Sequence, residues 1–288
     1  LKRVKSQRLK IMNNFTVNFV IPVRHYKSVQ DWQSVKSNLE YTLKSIFGQT
    51  NDNWHCYIIC NRGTDLPKST NHENVTVLES DFKFISLPNK SVDPEAYHDL
   101  IRKDKGARVY EALKYCKTND FFMVVDYDDF VHRKIVEFIN AMVKKNTEAY
   151  FYGWLINVGY IYSGGNVALL NKSFDTICGT SNIVRVCFFE KFYDEYGNLP
   201  LLYIKELLGS HRYIKNYMSK AGYSYGSLPF PGAVYNVGIS NSSSQTGSVV
   251  KEIFSFGKFF KMPRTMIKLW LSIRLFTKKK KRMFNINC

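Results

Sequence analysis

Strand-like and helix-like segments alternate through the first half of this 288-residue chain. The first strand candidate, Val17–Ile21, is a β-branched and aromatic run ended by Pro22, and an amphipathic helix candidate follows it up to Gly48. The alternation continues with strand candidates at 54–60, 75–78 and 121–125 and helix candidates at 99–117 and 132–145. This order, β-α-β-β-α-β-α, predicts an α/β domain built on a mainly parallel sheet.

Polar groups follow three of these strand candidates at the point where each strand ends. Arg24 follows the first strand, Asn61 and Arg62 follow the second, and the acidic run 126–129 (Asp-Tyr-Asp-Asp) ends the strand at 121–125. Ligands of parallel α/β sheets bind beyond the carboxyl ends of the strands. The sequence therefore predicts a binding site where bases and acids meet.

The acidic run offers two carboxylates that are two residues apart. Asp126 and Asp128 can converge on one divalent cation, because Mg²⁺ and Mn²⁺ prefer oxygen ligands and keep positions open for water and phosphate. Such a metal ion would neutralise charge on a departing diphosphate. The alternative interpretation is that these acids only cap the helix near His132, where the helix dipole favours anions. The D-x-D spacing alone leaves both interpretations open.

The segments around these strands resemble glycosyltransferases of the GT-A fold, in particular the large inverting family (family 2-like) that makes bacterial surface polysaccharides. The matching segments are 19–23 (FVIPV), 39–46 (LEYTLKSI), 49–50 (QT), 54–61, 105–108 (KGAR) and 124–129 (VVDYDD). The resemblance covers residues 17–145 and continues loosely to about 245. It implies one GT-A-like (Rossmann-like) domain at 13–250, with a nucleotide-sugar half at 13–130 and an acceptor half at 131–250.

The resemblance also implies which residues bind the nucleotide-sugar donor. Pro22 and Arg24 lie where the first strand meets the nucleotide, and Asn61 lies where a polar residue contacts the base. Lys105 and Arg108 lie where positive groups face the diphosphate. A nucleoside-diphosphate sugar, with a UDP-sugar favoured, is therefore the expected donor.

Three acids match the metal-binding stretch of the family. Asp126 matches the first acid of the D-x-D motif, near the ribose and the metal ion. Asp128 matches the acid that binds Mn²⁺ or Mg²⁺, and Asp129 would support these two. The resemblance thus implies a metal-dependent enzyme.

The general base is not evident from the sequence. Inverting members of the family usually carry an acid late in the domain to deprotonate the acceptor hydroxyl, whereas the corresponding stretch here, Leu207–Arg212, contains none. His211 is a candidate base or a third metal ligand, and Glu206 is the nearest acid. This departure leaves a retaining mechanism open. The polar turn at 179–181 lies where acceptor-binding loops occur in such enzymes.

The net charge of +17 is confined to the two ends of the chain. Fifteen of the 41 Lys and Arg residues lie in segments 1–12 and 258–288, which contain no acid, and the other 26 nearly balance the 24 acids. Basic ends on a neutral body indicate binding to an anionic surface, either a membrane or a nucleic acid. The absence of any nucleic-acid recognition motif disfavours the second.

Residues 262–276 form a basic amphipathic helix pattern within the tail at 251–288. Six residues share its apolar face: Met262, Met266, Leu269, Trp270, Ile273 and Phe276. Five consecutive bases follow at 278–282. Such a helix is typical of the membrane interface, and the bases would attract anionic lipid. The alternative interpretation is a helix that packs on the protein body with a solvated basic tail.

Together these observations predict a glycosyltransferase, hexosyltransferase-like and inverting, that transfers sugar to a glycan or lipid-linked glycan. The expected pathway is bacterial cell-surface polysaccharide synthesis, such as lipopolysaccharide or capsule. No apolar run is long enough to span a membrane, no secretory signal is recognisable and the six cysteines have no paired spacing. The expected location is therefore cytoplasmic and peripheral on the inner face of the cytoplasmic membrane. The alternatives are a nucleotidyltransferase, or a non-catalytic membrane-surface module with a degenerate site.

Overall fold

The computed structural model describes residues 15–145, 152–223, 225–238 and 263–286. The strands are β1 (Val17–Pro22), β2 (Trp54–Asn61), β3 (Val75–Ser80), β4 (Phe121–Val124), β5 (Phe130–Val131), β6 (Gly153–Leu155), β7 (Gly159–Tyr162), β8 (Val167–Asn171), β9 (Asn182–Arg185), β10 (Gly226–Ser227), β11 (Ala233–Asn236) and β12 (Ile273–Leu275). The helices are α1 (Trp32–Phe47), α2 (Pro94–Leu113), α3 (Ile135–Lys144), α4 (Cys187–Glu190), α5 (Leu201–Tyr203), α6 (Ile214–Lys220), α7 (Pro263–Ser272) and α8 (Lys278–Arg282). A π-helical segment (Ile204–Leu208) directly follows α5.

The first sheet has the strand order β10-β6-β9-β4-β1-β2-β3. β1 pairs in parallel with both β2 and β4, and β2 pairs in parallel with β3. β9 runs antiparallel to β4 and to β6, so one reversed strand lies inside the sheet. The predicted α/β fold, a mainly parallel sheet flanked by helices, is confirmed.

Alternate residues of the central strands pack on opposite faces of this sheet. In β1, Phe19 and Ile21 belong to the core cluster that includes α1 and α3, whereas Val20 belongs to the cluster that includes α2. Successive strand side chains point to opposite faces, which explains why these strands are apolar without interruption. The sheet therefore holds a core on each face.

Helix α2 begins five residues before the predicted start at residue 99. The Asp93 side chain accepts a hydrogen bond from the Ala96 backbone N–H, and Pro94 occupies the first turn. An aspartate cap followed by proline is a strong helix start. The helix therefore includes residues 94–98, the last residues of the polar segment before the predicted start.

A second sheet has the strand order β12-β8-β7-β11-β5. Its buried cluster includes Phe130 of β5, Tyr160 of β7 and Val234 of β11, together with Phe276 and Phe284 from the end of the chain. β5 and β11 therefore tie the segment after the acidic run to the second half of the chain.

The C-terminal tail packs on the body through much of its predicted apolar face. Helix α7 ends at Ser272 rather than at residue 276, because Ile273–Leu275 pairs antiparallel with β8. Met266 and Phe276 are buried, whereas Trp270 is 42% exposed. This is the packing that the alternative interpretation predicted, and membrane binding stays a prediction. Met262, the N-terminal segment 1–12 and the bases at 258 and 261 lie outside the described residues.

Within the described ranges, no helix combines the length and the apolar character needed to cross a membrane.

Candidate active site

A cavity of about 280 Å³ opens at the carboxyl ends of β1 and β4. These strands are adjacent and parallel, with Val20 opposite Val124, so the loops that leave them emerge side by side. Seven of the nine predicted site residues line the cavity: Pro22, Arg24, Lys105, Arg108, Asp126, Asp128 and His211. Residues from four separate parts of the sequence thus meet at one sheet edge.

Lys105 forms an ion pair with Asp126 in the cavity wall. Burial by itself would lower the pKa of the Lys105 ammonium, but the neighbouring Asp126 carboxylate outweighs this and raises the pKa. Gly179 covers the pair, and a Cβ atom there would lie 2.5 Å from Asp126 Oδ2 and 3.0 Å from Lys105 Nζ. A side chain at position 179 would therefore force the ends of the Asp126 and Lys105 side chains to shift.

Asp128 and Asp129 are both buried next to this pair. Burial, followed by the charge of Asp126, raises the pKa of Asp128 to about 7. Burial and the charges of Asp128 and Asp126 raise the pKa of Asp129 well above its usual value. Three carboxyl groups in so small a volume disfavour full ionisation unless a cation joins them.

Asp129 anchors the acidic loop to the segment around Gly179. Its Oδ2 atom accepts hydrogen bonds from Thr180 Oγ1 (2.6 Å) and Cys178 Sγ (3.1 Å), and Oδ1 accepts one from the Asn236 backbone N–H (3.3 Å). Thr180 Oγ1 in turn accepts a bond from the Asp126 backbone N–H (3.0 Å). Thr180 and Ser181 are fully buried. The Thr180 hydroxyl is therefore used within the protein, and the expectation that this turn belongs to an acceptor-binding loop stays a prediction.

Arg108 serves the cavity indirectly. Its side chain is 1% exposed, its Nη1 donates to the Val23 carbonyl (2.9 Å), and Nε and Nη2 donate to the Asp104 carboxylate (3.0 Å each). The guanidinium also stacks over Phe82 at 4.4 Å. We therefore correct the expectation that Arg108 faces a diphosphate: its donors hold the loop after β1 against α2. Its spacing of four residues from Asp104 was a signal for this pair.

Arg24 stands at the exit of β1. Its Nε atom donates to Ser28 Oγ (2.9 Å), and the guanidinium also hydrogen-bonds the Tyr127 side chain. Tyr127 lies between the two candidate metal-binding acids in sequence and lines the same cavity. Arg24 thus adds a positive group to the edge at which Asp126 and Asp128 lie.

His211 reaches the cavity because two glycines let α2 and the π-helical segment approach closely. A Cβ atom at Gly106 would lie 2.3 Å from the Ile204 carbonyl oxygen, and one at Gly209 would lie 2.0 Å from that of Arg102. Burial, together with the charge of Lys105, lowers the pKa of His211. Its Nε2 atom is buried and has no hydrogen-bond partner among the described residues. The ring is therefore neutral at pH 7 and keeps one nitrogen unused.

Two predicted site residues do not line the cavity. Glu206 lies on the π-helical segment and accepts a hydrogen bond from the Tyr217 hydroxyl of α6. The Asn61 side chain is buried and donates to the Phe82 carbonyl oxygen (2.7 Å). Both side chains form hydrogen bonds within the protein. We therefore no longer retain Glu206 as a base or Asn61 as a contact to the nucleotide.

Other cavity residues were missed by the sequence analysis. They are His25, Ser28, Ile85, Leu87, His98, Leu100, Ile101, Asp104, Tyr127, Ile177, Gly179, Gly209 and Tyr235. His25 and Ser28 closely follow the first strand. The expectation that ligands bind beyond the carboxyl ends of strands could therefore have found them. Tyr127, Gly179 and Gly209 lie within stretches that the sequence analysis singled out for other residues. The rest come from segments with no motif, and only the tertiary structure brings them to the cavity.

The carboxylates fit a divalent cation only in part. Among the described residues, no three His, Cys, Asp or Glu side chains converge as a metal site. Asp126 and Asp128 nevertheless supply oxygen ligands at the cavity, and the charge they would share is not fully balanced by Lys105. A Mg²⁺ or Mn²⁺ ion would be held by these two groups and take its other ligands from water and a bound phosphate. The placement of His211 as a third ligand stays a prediction.

No protein-family model and no curated protein sequence matches the chain. Among solved structures, the chain is similar to the 2-C-methyl-D-erythritol 4-phosphate cytidylyltransferase IspD of Francisella tularensis, with 13% sequence identity and a TM-score of 0.37. This match covers 77% of this chain and 93% of that chain. The chain is also similar to the apo-form glycosyltransferase GlyE of Streptococcus pneumoniae TIGR4, with 9% identity, a TM-score of 0.34 and 92% of this chain covered, but it spans only 55% of that chain. These neighbours include two transferases, and at such identities and TM-scores no activity of this chain is concluded from them.

Proposed function

We propose that this protein is a cation-dependent glycosyltransferase, which moves a sugar from a nucleoside-diphosphate sugar to a saccharide hydroxyl. The observation that supports this is the convergence of Asp126, Asp128, Lys105 and Arg24 on one cavity at the carboxyl ends of parallel strands. This combination of acids for a cation and bases for phosphates suits a donor that carries a diphosphate. The further proposals are a UDP-sugar donor, an inverting outcome and a lipid-linked acceptor in bacterial surface polysaccharide synthesis.

The chain's own residues would divide the work as follows. Asp126 and Asp128 would hold the divalent cation, which when bound would neutralise charge on the leaving diphosphate. Lys105 and Arg24 would orient the phosphates at the same edge of the sheet. Asp129 would keep the acidic loop in place through Thr180 and Cys178.

His211 is the candidate general base in this proposal. Its lowered pKa leaves the ring neutral at pH 7, so the unpartnered Nε2 atom is able to accept a proton from the acceptor hydroxyl. The acceptor oxygen would then bond to the sugar's anomeric carbon as the bond from that carbon to the diphosphate oxygen breaks. The proton would stay on His211, and the nucleoside diphosphate would leave with the bonding electrons.

A donor screen tests the proposal. Purified protein is incubated with UDP-, GDP-, CMP- and dTDP-sugars, with Mn²⁺ or Mg²⁺ or with EDTA, and the nucleotide released is measured. We expect release from one donor that EDTA abolishes and that Asp128→Asn lowers by at least about 100-fold, because one ligand of the cation is lost. Asp52→Asn, the same change at an exposed position, should retain full activity.

Other outcomes would overturn the proposal. Activity that survives both EDTA and Asp128→Asn would exclude a cation-dependent transfer. Release of pyrophosphate from nucleoside triphosphates would indicate a nucleotidyltransferase instead. Failure of calorimetry to detect binding of any nucleotide sugar would leave a non-catalytic module.

A further inference from the structure

An exposed apolar surface edged by bases lies on the C-terminal part of the chain. Ile267, Trp270 and Leu271 of α7 are 49%, 42% and 70% exposed, and Leu275 of β12 is 70% exposed. The first three are spaced three and four residues apart and so share one side of the helix. The adjoining side, with Met266, packs on the body. We call these four residues the apolar face.

Bases surround the apolar face. Arg264 and Lys268 are exposed and flank Ile267 and Leu271 along the helix. Arg274 Nη1 donates to the Leu271 carbonyl (2.7 Å), and Lys280 Nζ donates to the Leu275 carbonyl (2.8 Å). Both side chains thus lie beside apolar residues of this face. The remaining bases of α8 follow directly, and residues 258–288 contain no acid.

We propose that the apolar face, with its surrounding bases, docks on an anionic lipid bilayer. Apolar side chains in a basic setting match the acyl boundary and the anionic headgroups of such a surface. The set differs from the one that the helical pattern predicts, because Met266, Leu269, Ile273 and Phe276 pack on the protein instead. Only Trp270 belongs to both sets. This inference does not depend on the proposed sugar transfer.

Leu275 of the apolar face and Tyr235 of the cavity wall belong to the same sheet. β12 is separated from β11 by two strands of the second sheet, and Tyr235 of β11 lines the cavity. At a strand spacing of about 4.8 Å, β12 lies roughly 14 Å from β11. Docking would therefore hold the Tyr235 side of the cavity within about this distance of the strand that meets the bilayer.

Vesicle sedimentation of the full chain tests the proposal. The protein is mixed with phosphatidylcholine vesicles or with vesicles that contain about one-third phosphatidylglycerol. We expect binding to the anionic vesicles that added salt weakens, and little binding to the neutral ones. Ile267→Ser with Leu271→Ser should weaken binding by about ten-fold or more, since the apolar contact is lost. Leu201→Ser with Leu202→Ser, an equally exposed pair on α5, should change nothing.

A second pair of variants tests the bases. Lys268→Gln with Lys279→Gln should weaken binding to anionic vesicles by about 25-fold, about five-fold for each charge. Lys144→Gln with Lys145→Gln, which removes the same charge from the exposed end of α3, is the matched control and should have little effect.

Three results would overturn the proposal. The first is absence of binding to anionic vesicles at low salt, and the second is an equal loss of vesicle binding in the test and control pairs. The third is a concentration-dependent dimer in sedimentation velocity that Ile267→Ser with Leu271→Ser abolishes. The last result would assign the apolar face to a second copy of the chain. Circular dichroism of each variant verifies that it is folded.

Discussion

His132 shows how burial sets the chemistry of a single side chain in this protein. Its ring packs against Phe230 (4.4 Å between centroids) and Phe284 (5.3 Å), and its Nδ1 atom accepts a hydrogen bond from the Lys134 backbone N–H (3.2 Å). Burial, and then the charges of Lys134 and Arg133, lower the pKa of His132 to about 4. The folded protein thus holds this histidine neutral where the unfolded chain would protonate it.

This pKa shift predicts a loss of stability in acid. Between about pH 6.5 and pH 4 the unfolded state binds the proton and the folded state does not, so the free energy of unfolding falls as the pH falls through this window. The contribution is on the order of 3 kcal/mol. His132→Gln removes the titrating group, and urea denaturation at pH 7 and pH 4.5 should show a smaller difference for this variant than for the wild type. An unchanged difference would contradict the assignment.

At the scale of elements, the close approach between α2 and the π-helical segment positions the cavity. Gly106 permits the contact with Ile204, its neighbour Lys105 pairs with Asp126, and His211 lies two residues after Gly209. A helix interior normally disfavours glycine by about 1 kcal/mol relative to alanine. Here the missing side chain is a packing requirement, because the atom that a Cβ would meet belongs to the backbone and cannot rotate away.

Gly106→Ala is therefore expected to destabilise the fold despite the better helix propensity of alanine. Forcing the two elements apart should lower the free energy of unfolding by about 1–3 kcal/mol. It should also weaken donor binding, since Lys105 and His211 move with these elements. Urea denaturation and calorimetry of nucleotide-sugar binding measure the two effects.

Ala107→Gly provides the control in the same helix. It weakens α2 by about 1 kcal/mol without introducing an atom into the contact. Donor binding should survive in this variant. If Gly106→Ala matched or exceeded wild-type stability, the close approach would not be a constraint.

At the scale of the whole molecule, the C-terminal segment completes the second core. Phe276 is fully buried against Tyr160 (5.1 Å between centroids) and Tyr162 (4.8 Å), and Phe284 packs beside them. Asn285 Nδ2 donates to the Lys44 carbonyl of α1 (2.6 Å). The end of the chain thus contributes to the stability of the body, beyond any role at a surface.

Phe276→Ala should destabilise the protein strongly. Removing a fully buried phenylalanine leaves a cavity and typically costs about 3–5 kcal/mol in the free energy of unfolding. Its neighbour Leu275 is 70% exposed, and Leu275→Ala should change that free energy by less than about 0.5 kcal/mol. Parallel urea denaturation of the two variants gives the comparison. Equal stabilities would show that the tail is not part of the core.

The sequence by itself determined the order of elements in the first half of the chain apart from the short β5, the mainly parallel sheet and the sheet edge at which most candidate site residues meet. Those properties follow from local patterns: apolar runs of strand length, helical periodicity and the polar residues at 24 and 126–129 where strands end. The confinement of positive charge to the chain ends is likewise a property of composition.

Only the tertiary structure decided which side chains are available at the site. Arg108 and Glu206 carry suitable charges, but the distant Val23 carbonyl takes a donor of buried Arg108, and the Tyr217 hydroxyl occupies Glu206. The atoms that a side chain at position 179 would meet lie more than fifty residues away in sequence. The same holds for the tail, whose helical period marks an apolar face without showing which of its residues the body covers. Burial and pairing between distant segments are properties of the packed chain, and no local pattern encodes them.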